Sequence, residues 1–359
     1  MELSLRSELA VRGLRDAPPV RRRAGAGPSD DGHWRLGGDG PPTKRSATLP
    51  LAPDSPFGLD AGGRLTRDGV VLQDTVLEPI ERPRFYDCKT GDGVAFEQLA
   101  RLHGDGVLAT TVVQTCIRYA SAQTRCRFCT IEESLRAGAT VQVKAPEALA
   151  EVAAAAVALD GVGQMVMTTG TSAGADRGAK HLTKCVRAVN EATPALPIQV
   201  QIEPPLDLNW IDRLHDAGAE AIGIHVEALD QGVRERWTPG KATVSLERYE
   251  EAWARALQAF GPNRVSTYLL VGLGEDADEL VAGALRLIEL GIYPFVVPYR
   301  PLAGSLAHAD GVPAPDAATL ARVTRRVGEA LAARRMRGVD QIAGCAACGA
   351  CSALQHAGG

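Results

Sequence analysis

The chain has 359 residues, carries a formal net charge of -4 with a pI near 6.0, and is 45% hydrophobic but only 4% aromatic. This balance excludes a strongly basic nucleic-acid binder and leaves few rings for stacked-base platforms. The opening residues are polar and amphipathic rather than signal-like, and no apolar run reaches the ~18 residues a membrane span needs, so a cytoplasmic protein is expected. In that compartment the eight cysteines are metal ligands or buried thiols rather than disulfides.

In chain order, a short helical stretch over Leu3–Leu14 opens residues 1–56. The Pro/Gly/Arg-rich run APPVRRRAGAGPSDDG follows, and the segment reads as an extended or poorly ordered leader. Residues 57–105 form an N-terminal cap segment in which GRLTRDGVVLQD reads as a small hairpin. From about residue 106 to 335 apolar, β-branched runs alternate with helical patterns. The strands are expected at Val107–Val113, Gln164–Thr168, Ile198–Ile202, Ala221–Val226, Val265–Val271 and Tyr293–Val297. Helices are expected at Pro146–Leu159, Gly178–Glu191, Leu208–Ala217, Leu246–Phe260, Asp276–Leu290 and Asp316–Arg334. Pro146 suits a first helical turn, Asp207 and Ser245 suit N-caps, and Gly161, Gly218, Gly261 and Gly291 suit helix ends. Six βα units imply a parallel sheet with right-handed crossovers. A doubly wound sheet fits the alternation too. A full or three-quarter barrel is preferred, because chemistry-bearing residues recur after nearly every strand, where barrels gather their functional groups.

The first of these strands runs into QTCIRYASAQTRCRFCTIEE, which places Cys116, Cys126 and Cys129 in a C-x9-C-x2-C loop. Three thiolates on one loop bind an iron–sulfur cluster and leave one iron open; a zinc site using Cys126 and Cys129 is the alternative. TTGTSAG follows the second strand and contains Thr169, Gly170 and Thr171, where glycine lets backbone approach a ligand. Gln199, Gln201 and Glu203 share one face of the third strand, and His225 and Glu227 share one at the fourth. Glu203 is either a ligand-binding carboxylate or a cap, and His225 either a functional group or a satisfied core histidine. The fifth strand ends in VGLGED with Gly272 and Gly274, and the sixth leads to Arg300, a candidate carboxylate binder. The tail, residues 336–359, carries Cys345, Cys348 and Cys351 in C-x2-C-x2-C spacing, which fits an auxiliary iron–sulfur cluster or zinc. Cys88, His356 or a substrate atom could supply a fourth ligand, and Cys185 falls inside a helix as a core residue.

The cysteine loop resembles that of the radical S-adenosylmethionine (SAM) superfamily, although its first gap is nine residues where C-x3-C-x2-C is usual. VGLGED is similar to the biotin-synthase-like and lipoyl-synthase-like branch. The AGAGPSD leader, the wide QTCIRY…CRFC loop, the VGLGED turn and the cysteine-rich tail together resemble the radical SAM proteins of bacterial nitrilase-containing gene clusters. The resemblance implies an α/β fold, a partial to full TIM-like barrel with at least six βα units, an N-terminal extension and a cysteine-rich tail. It implies a [4Fe-4S] cluster on Cys116, Cys126 and Cys129, with SAM near Phe128, Thr169, Gly170, Thr171, Glu203, His225, Glu227, Gly272, Gly274 and Arg300. An enzyme follows that abstracts hydrogen from a small molecule, in a setting of nitrile or cyanide metabolism, with an external donor such as flavodoxin or ferredoxin and no nucleic acid or membrane partner. A metal-binding barrel without SAM chemistry and a radical SAM RNA-modifying enzyme are the rival readings.

Overall fold

The computed structural model describes residues 1–15, 32–37 and 46–357. The AGAGPSD motif therefore lies outside the described residues. The described residues form twelve strands: β1 Gly32–Leu36, β2 Ser46–Leu49, β3 Phe57–Leu59, β4 Arg64–Arg67, β5 Val70–Pro79, β6 Arg101–His103, β7 Val107–Thr111, β8 Gln164–Thr168, β9 Ile198–Ile202, β10 Ala221–Ile224, β11 Val265–Val271 and β12 Tyr293–Pro298.

Strands β7 to β12 follow one another across a single sheet in sequence order, all parallel, with β6 added antiparallel at one edge. Each is followed by a helix or loop that returns over the outer face, the arrangement of a βα barrel. The sheet is open between β6 and β12 among the described residues, so the barrel is partial. The helices Pro146–Asp160, Ala179–Ala192, Asn209–Asp216, Leu246–Phe260, Ala277–Glu289 and Ala317–Ala333 sit within one or two residues of their expected bounds. Ser245 caps its helix by accepting from the Arg248 amide, and Gly161 ends its own in the left-handed conformation. Asp207 instead makes a local turn, accepting from the Asn209 amide, and that helix starts after Leu208. Cys185 is fully buried in the core of the main sheet.

The first 79 residues supply helix Leu3–Arg12 and a five-stranded antiparallel sheet ordered β2-β1-β5-β4-β3. Strands β4 and β5 form the hairpin expected from GRLTRDGVVLQD, turning at Asp68 and Gly69, both with positive φ. This sheet has its own core of Leu9, Leu14, Trp34, Leu49, Phe57 and Leu65.

The tail closes the gap in the barrel. Ser352 donates to the Val296 carbonyl of β12 (2.6 Å), the Thr48 amide of β2 donates to the Ala350 carbonyl (2.9 Å), and Cys351 meets His103 of β6. Cys348 and Ala350 pack on Val107 and Val166, inside the main sheet. Gly344 is placed so that any Cβ would stand 2.0 Å from Gln199 Cδ, so only glycine passes this point. No described helix is long and apolar enough to cross a membrane.

Candidate functional site

The cysteine loop leaves the C-terminal end of β7 and lies directly over the loop after β8. The Gly170 amide donates to the Val113 carbonyl and the Ile117 amide to the Thr171 carbonyl, each at 2.9 Å. A Cβ on Gly170 would stand 2.0 Å from the Thr115 carbonyl oxygen, so the close approach of the two loops requires glycine there. Gln114 Nε2 donates to the Ile131 carbonyl (2.7 Å) and closes the cysteine loop at its base. Within it, the Cys129 amide donates to the Cys126 carbonyl and the Tyr119 amide to the Cys116 carbonyl. The Arg125 guanidinium sits 3.7 Å from the Tyr119 ring centroid and donates to the Cys129 carbonyl.

Burial raises the Cys126 thiol well above its ordinary value and Cys129 to about 11, and the neighbouring thiols, Cys116 included, push in the same direction. Thiols so placed give up their protons only when a cationic metal centre takes the protons' place on sulfur, because a bare thiolate in a dry site is costly. Such a donor set suits a metal cluster. Among the described residues no three His, Cys, Asp or Glu side chains converge as tightly as one metal ion demands. An iron–sulfur cube spreads its thiolates further apart.

One buried ion pair braces the loop, and a second stands at the end of β10. Arg118, two residues after Cys116, donates through Nε to Glu203 Oε2 (2.9 Å), through Nη2 to Oε1, and through Nη1 to the Gly240 carbonyl. Burial works against the charge of Arg118, but Glu203 outweighs it and holds the guanidinium above its usual pKa. Thr171 Oγ1 donates to Glu203 as well, at 3.1 Å. In the second pair Lys241 Nζ meets both oxygens of Glu227 (2.7 and 2.6 Å) and the His225 carbonyl (2.8 Å). Burial disfavours that ammonium, yet Glu227 holds its pKa above the usual lysine value. Glu227 adopts φ 64° just past β10, a strained conformation that lets its backbone bridge to Leu269 while its side chain meets Lys241.

A cavity of about 310 Å³ opens beside the loop. Phe128 and Cys129 line it from the loop, His225 and Glu227 from the end of β10, Tyr268 from β11, Arg300 from beyond β12, and Cys351 from the tail. The two cysteine groups thus share one chamber. The His225 ring stacks on Tyr268, with centroids 4.1 Å apart, and neither ring nitrogen has a hydrogen-bond partner. Burial first and Lys241 second push its pKa down to about 3, so the ring is neutral. Gly272 and Gly274 do not line this chamber. They turn the chain at the end of β11 with φ of 107° and 96°, against Pro315 and Arg236.

The tail thiols lie at the inner face of the sheet. Tyr268 Oη donates to Cys345 Sγ at 2.6 Å and Gln201 Nε2 at 3.2 Å, while Gln199 Oε1 accepts from Gln201 and from the Cys345 amide. The two inward glutamines of β9 thus find their partners in the tail. Arg300 Nη2 donates to the Thr48 carbonyl (2.9 Å), linking the chamber to the N-terminal sheet. Cys88 packs on the barrel core, and the histidine that meets a tail thiol is His103, with Nε2 3.3 Å from Cys351 Sγ.

Several residues here were not singled out from sequence. Arg118 stands inside the cysteine motif and was within reach of inspection. Lys241, Tyr268 and His103 carry no pattern in sequence that marks them.

Fold and loop define the class: a partial βα barrel with a cysteine-bearing loop at the C-terminal end of its first parallel strand. Residues 122–287 match the family model of the Radical SAM superfamily, a span that includes Cys126 and Cys129. Those residues, a little under half of the chain, thus carry the likeness to that superfamily. It is similar to a bacteriochlorophyllide c C-7(1)-hydroxylase of Chlorobaculum limnaeum, 28% identical over 39% of this chain and 34% of that protein. It is also similar to a mitochondrial lipoyl synthase of Clavispora lusitaniae (30% identical; 59% of this chain, 49% of that one) and a lipoyl synthase of Ectopseudomonas mendocina (26%; 69% and 74%). The chain thus spans about a third and about a half of the first two relatives' lengths. Among solved structures, methylornithine synthase aligns with a TM-score of 0.47 at 17% identity, covering 63% of this chain and 62% of that one. HydG, a maturase of the [FeFe]-hydrogenase, aligns at 0.46 and 14%, covering 63% and 49%. The family implies a [4Fe-4S] cluster and SAM.

Proposed function

We propose that this protein is a radical SAM enzyme acting on a small molecule held in the chamber between its two cysteine groups. The observation that carries the reading is the placing of the Cys116, Cys126 and Cys129 loop over the loop after β8 and beside that chamber. Cys116, Cys126 and Cys129 would hold the [4Fe-4S] cluster, and Cys345, Cys348 and Cys351 an auxiliary iron–sulfur site. When bound, the cluster and SAM supply reductive cleavage to methionine and a 5'-deoxyadenosyl radical, which takes a hydrogen from the substrate.

The chain's own residues bind, orient and exclude water. Thr169, Gly170 and Thr171 present backbone beside the cysteine loop. Glu203 fixes that loop through Arg118 and Thr171, and offers its carboxylate on the SAM side. Phe128 gives the chamber an apolar face. His225 enters the chamber uncharged, so it accepts or donates a hydrogen bond without adding a cation. Glu227 is neutralised by Lys241, and the Arg300 guanidinium, bonded to the Thr48 carbonyl, lines the chamber between the substrate and the tail site. Gly272 and Gly274 shape the turn after β11 near the adenosyl side. An external donor such as flavodoxin or ferredoxin would deliver the electron. A setting in nitrile or cyanide metabolism is supported by the leader, loop, turn and tail motifs.

Anaerobic incubation of the reconstituted protein with SAM and dithionite tests the reading. 5'-Deoxyadenosine and methionine should form together. A reconstituted cluster that produces neither, and whose electron paramagnetic resonance signal is indifferent to SAM, would refute it.

A further inference from the structure

The tail site has one neighbour that its spacing pattern does not contain. His103 ends the edge strand β6, 248 residues before Cys351, and brings Nε2 to 3.3 Å from Cys351 Sγ. Its ring is held edge-on by His33, with centroids 5.1 Å apart. Thr48 Oγ1 stands 3.4 Å from the same sulfur. Two guanidiniums lie near the same sulfur: Arg300 lines one cavity with Cys351, and Arg6 is bonded to the preceding residue, Ala350. Arg6 is fully buried; Nη2 donates to the Ala350 carbonyl at 2.7 Å, while Nε and Nη1 have no hydrogen-bond partner. A buried cation so placed calls for a negative group nearby.

We propose that His103 is the fourth protein ligand of the tail site and shares one iron with Cys351, making the site a [2Fe-2S] cluster held by three cysteines and one histidine. This rests on the reading of the tail as an iron–sulfur site. The argument is geometric. Metal–nitrogen bonds of about 2.0–2.1 Å and metal–sulfur bonds of about 2.3 Å put neighbouring tetrahedral ligands roughly 3.5 Å apart. The observed 3.3 Å is close to that separation. In a four-iron cube each iron takes one protein ligand, so no such pair is called for. In a two-iron cluster each iron takes two, and histidine replaces cysteine in known variants of that ligand set. Cys345 and Cys348, one turn apart on the short helix Cys345–Cys348, form the other pair.

Charge points the same way. Three thiolates on a two-iron core leave a net negative cluster, and Arg6 and Arg300 supply the balancing charge from the N-terminal helix and the sheet edge. The N-terminal segment thus completes the site: Arg6, Thr48 and the β2 backbone all reach the tail. With four protein ligands the cluster has no open iron for a substrate. It stands beside the chamber with its irons filled by the chain's own side chains, not as a clamp on the substrate.

The full-length Cys116→Ala/Cys126→Ala/Cys129→Ala variant, reconstituted anaerobically with iron and sulfide, isolates the tail site. About two irons per chain are expected, the stoichiometry of a [2Fe-2S] site. Pulsed electron paramagnetic resonance of the reduced protein should show a directly bound nitrogen. His103→Cys in that background should keep the iron, lose the nitrogen coupling and shift the midpoint potential down. A parent without nitrogen coupling, or a coupling that survives His103→Cys, overturns the proposal while leaving the tail cluster in place. Iron unchanged on further replacing Cys345, Cys348 and Cys351 by Ser, or zinc in place of iron, refutes the tail cluster and the proposal with it.

Discussion

Glu203 is the residue whose replacement separates the bracing of the cysteine loop from other roles. It is 6% exposed and accepts from Arg118 and Thr171 at once. Glu203→Gln keeps the volume but takes away the charge and one acceptor oxygen, and it turns an amide N–H₂ toward the guanidinium. Arg118 is then a buried cation without its counter-ion. One charge-assisted hydrogen bond is worth about 1.5–3 kcal/mol, and a buried pair broken at one end costs about 3–5 kcal/mol. Solvent offers little relief, since the Arg118 side chain is 11% exposed. A loss of about 3 kcal/mol is therefore expected, or roughly 4 °C in Tm for an unfolding entropy of about 2.1 cal/mol/K per residue over a chain of this length. The assay is a double-mutant cycle of Glu203→Gln with Arg118→Met, read by denaturation of the metal-free protein, alongside iron content after reconstitution. Coupling of about 1.5 kcal/mol or more is expected, and iron loading should fall with it because Arg118 lies two residues from Cys116. Coupling below about 0.5 kcal/mol would refute the bracing role. In that case a fall in SAM affinity on Glu203→Gln would have to come from direct contact.

Cys126→Ala should lose the loop's irons and all SAM cleavage, measured as 5'-deoxyadenosine by chromatography, while the tail's iron remains. Replacing Cys345, Cys348 and Cys351 together by Ala should remove the tail's iron and substrate turnover but preserve a SAM-responsive paramagnetic signal. Gly170→Ala should displace the cysteine loop, since its Cβ would overlap the Thr115 carbonyl, and lower both iron loading and Tm. His225 has its folded pKa depressed to about 3 by burial, below an unfolded value of about 6.5. Its contribution is thus complete above pH 6.5 and is lost as pH falls toward 3, at no more than about 1.4 kcal/mol per pH unit. Denaturation of the metal-free protein at pH 6.5 and 5 should show roughly 2 kcal/mol of that loss, and His225→Gln should remove it; an unchanged difference would place the ring in water.

The barrel was legible because its strands are β-branched runs bounded by glycines and caps, a local signal. Gln199, Gln201 and Glu203 were assignable to one face because a strand's period is two. What they face was not legible: two of them turn out to hold the tail, and the third holds Arg118. Strands β1 and β2 escaped notice because they sit among Gly and Pro residues and pair with each other, and β1 with β5, far along the chain. Lys241 follows Pro239 and Gly240 in a short helical turn, where no periodicity marks a buried cation. His103 is a single histidine on a three-residue edge strand, and only folding brings it to Cys351.

The position of the tail bears on how it can be tested. Cys348 and Ala350 pack on Val107 and Val166, and Ser352 is bonded to β12. Removing residues 345–359 would strip part of the barrel's inner packing and expose the edges β6 and β12. Loss of function after such a truncation would report folding as much as chemistry. The thiol-to-alanine variants avoid this, because they leave the backbone bonds of Ala350 and Ser352 intact. The same packing has a functional consequence. The tail fills the inner face of the sheet and contributes Cys351 to the chamber wall, as the loop contributes Cys129. On the proposed reading, a substrate in about 310 Å³ of space, bounded by one thiol from each group, would lie within reach of both. The tail site would then meet the same molecule as the loop site without its having to move. Two cysteine groups 216 residues apart in sequence, Cys129 to Cys345, therefore act as two walls of one chamber.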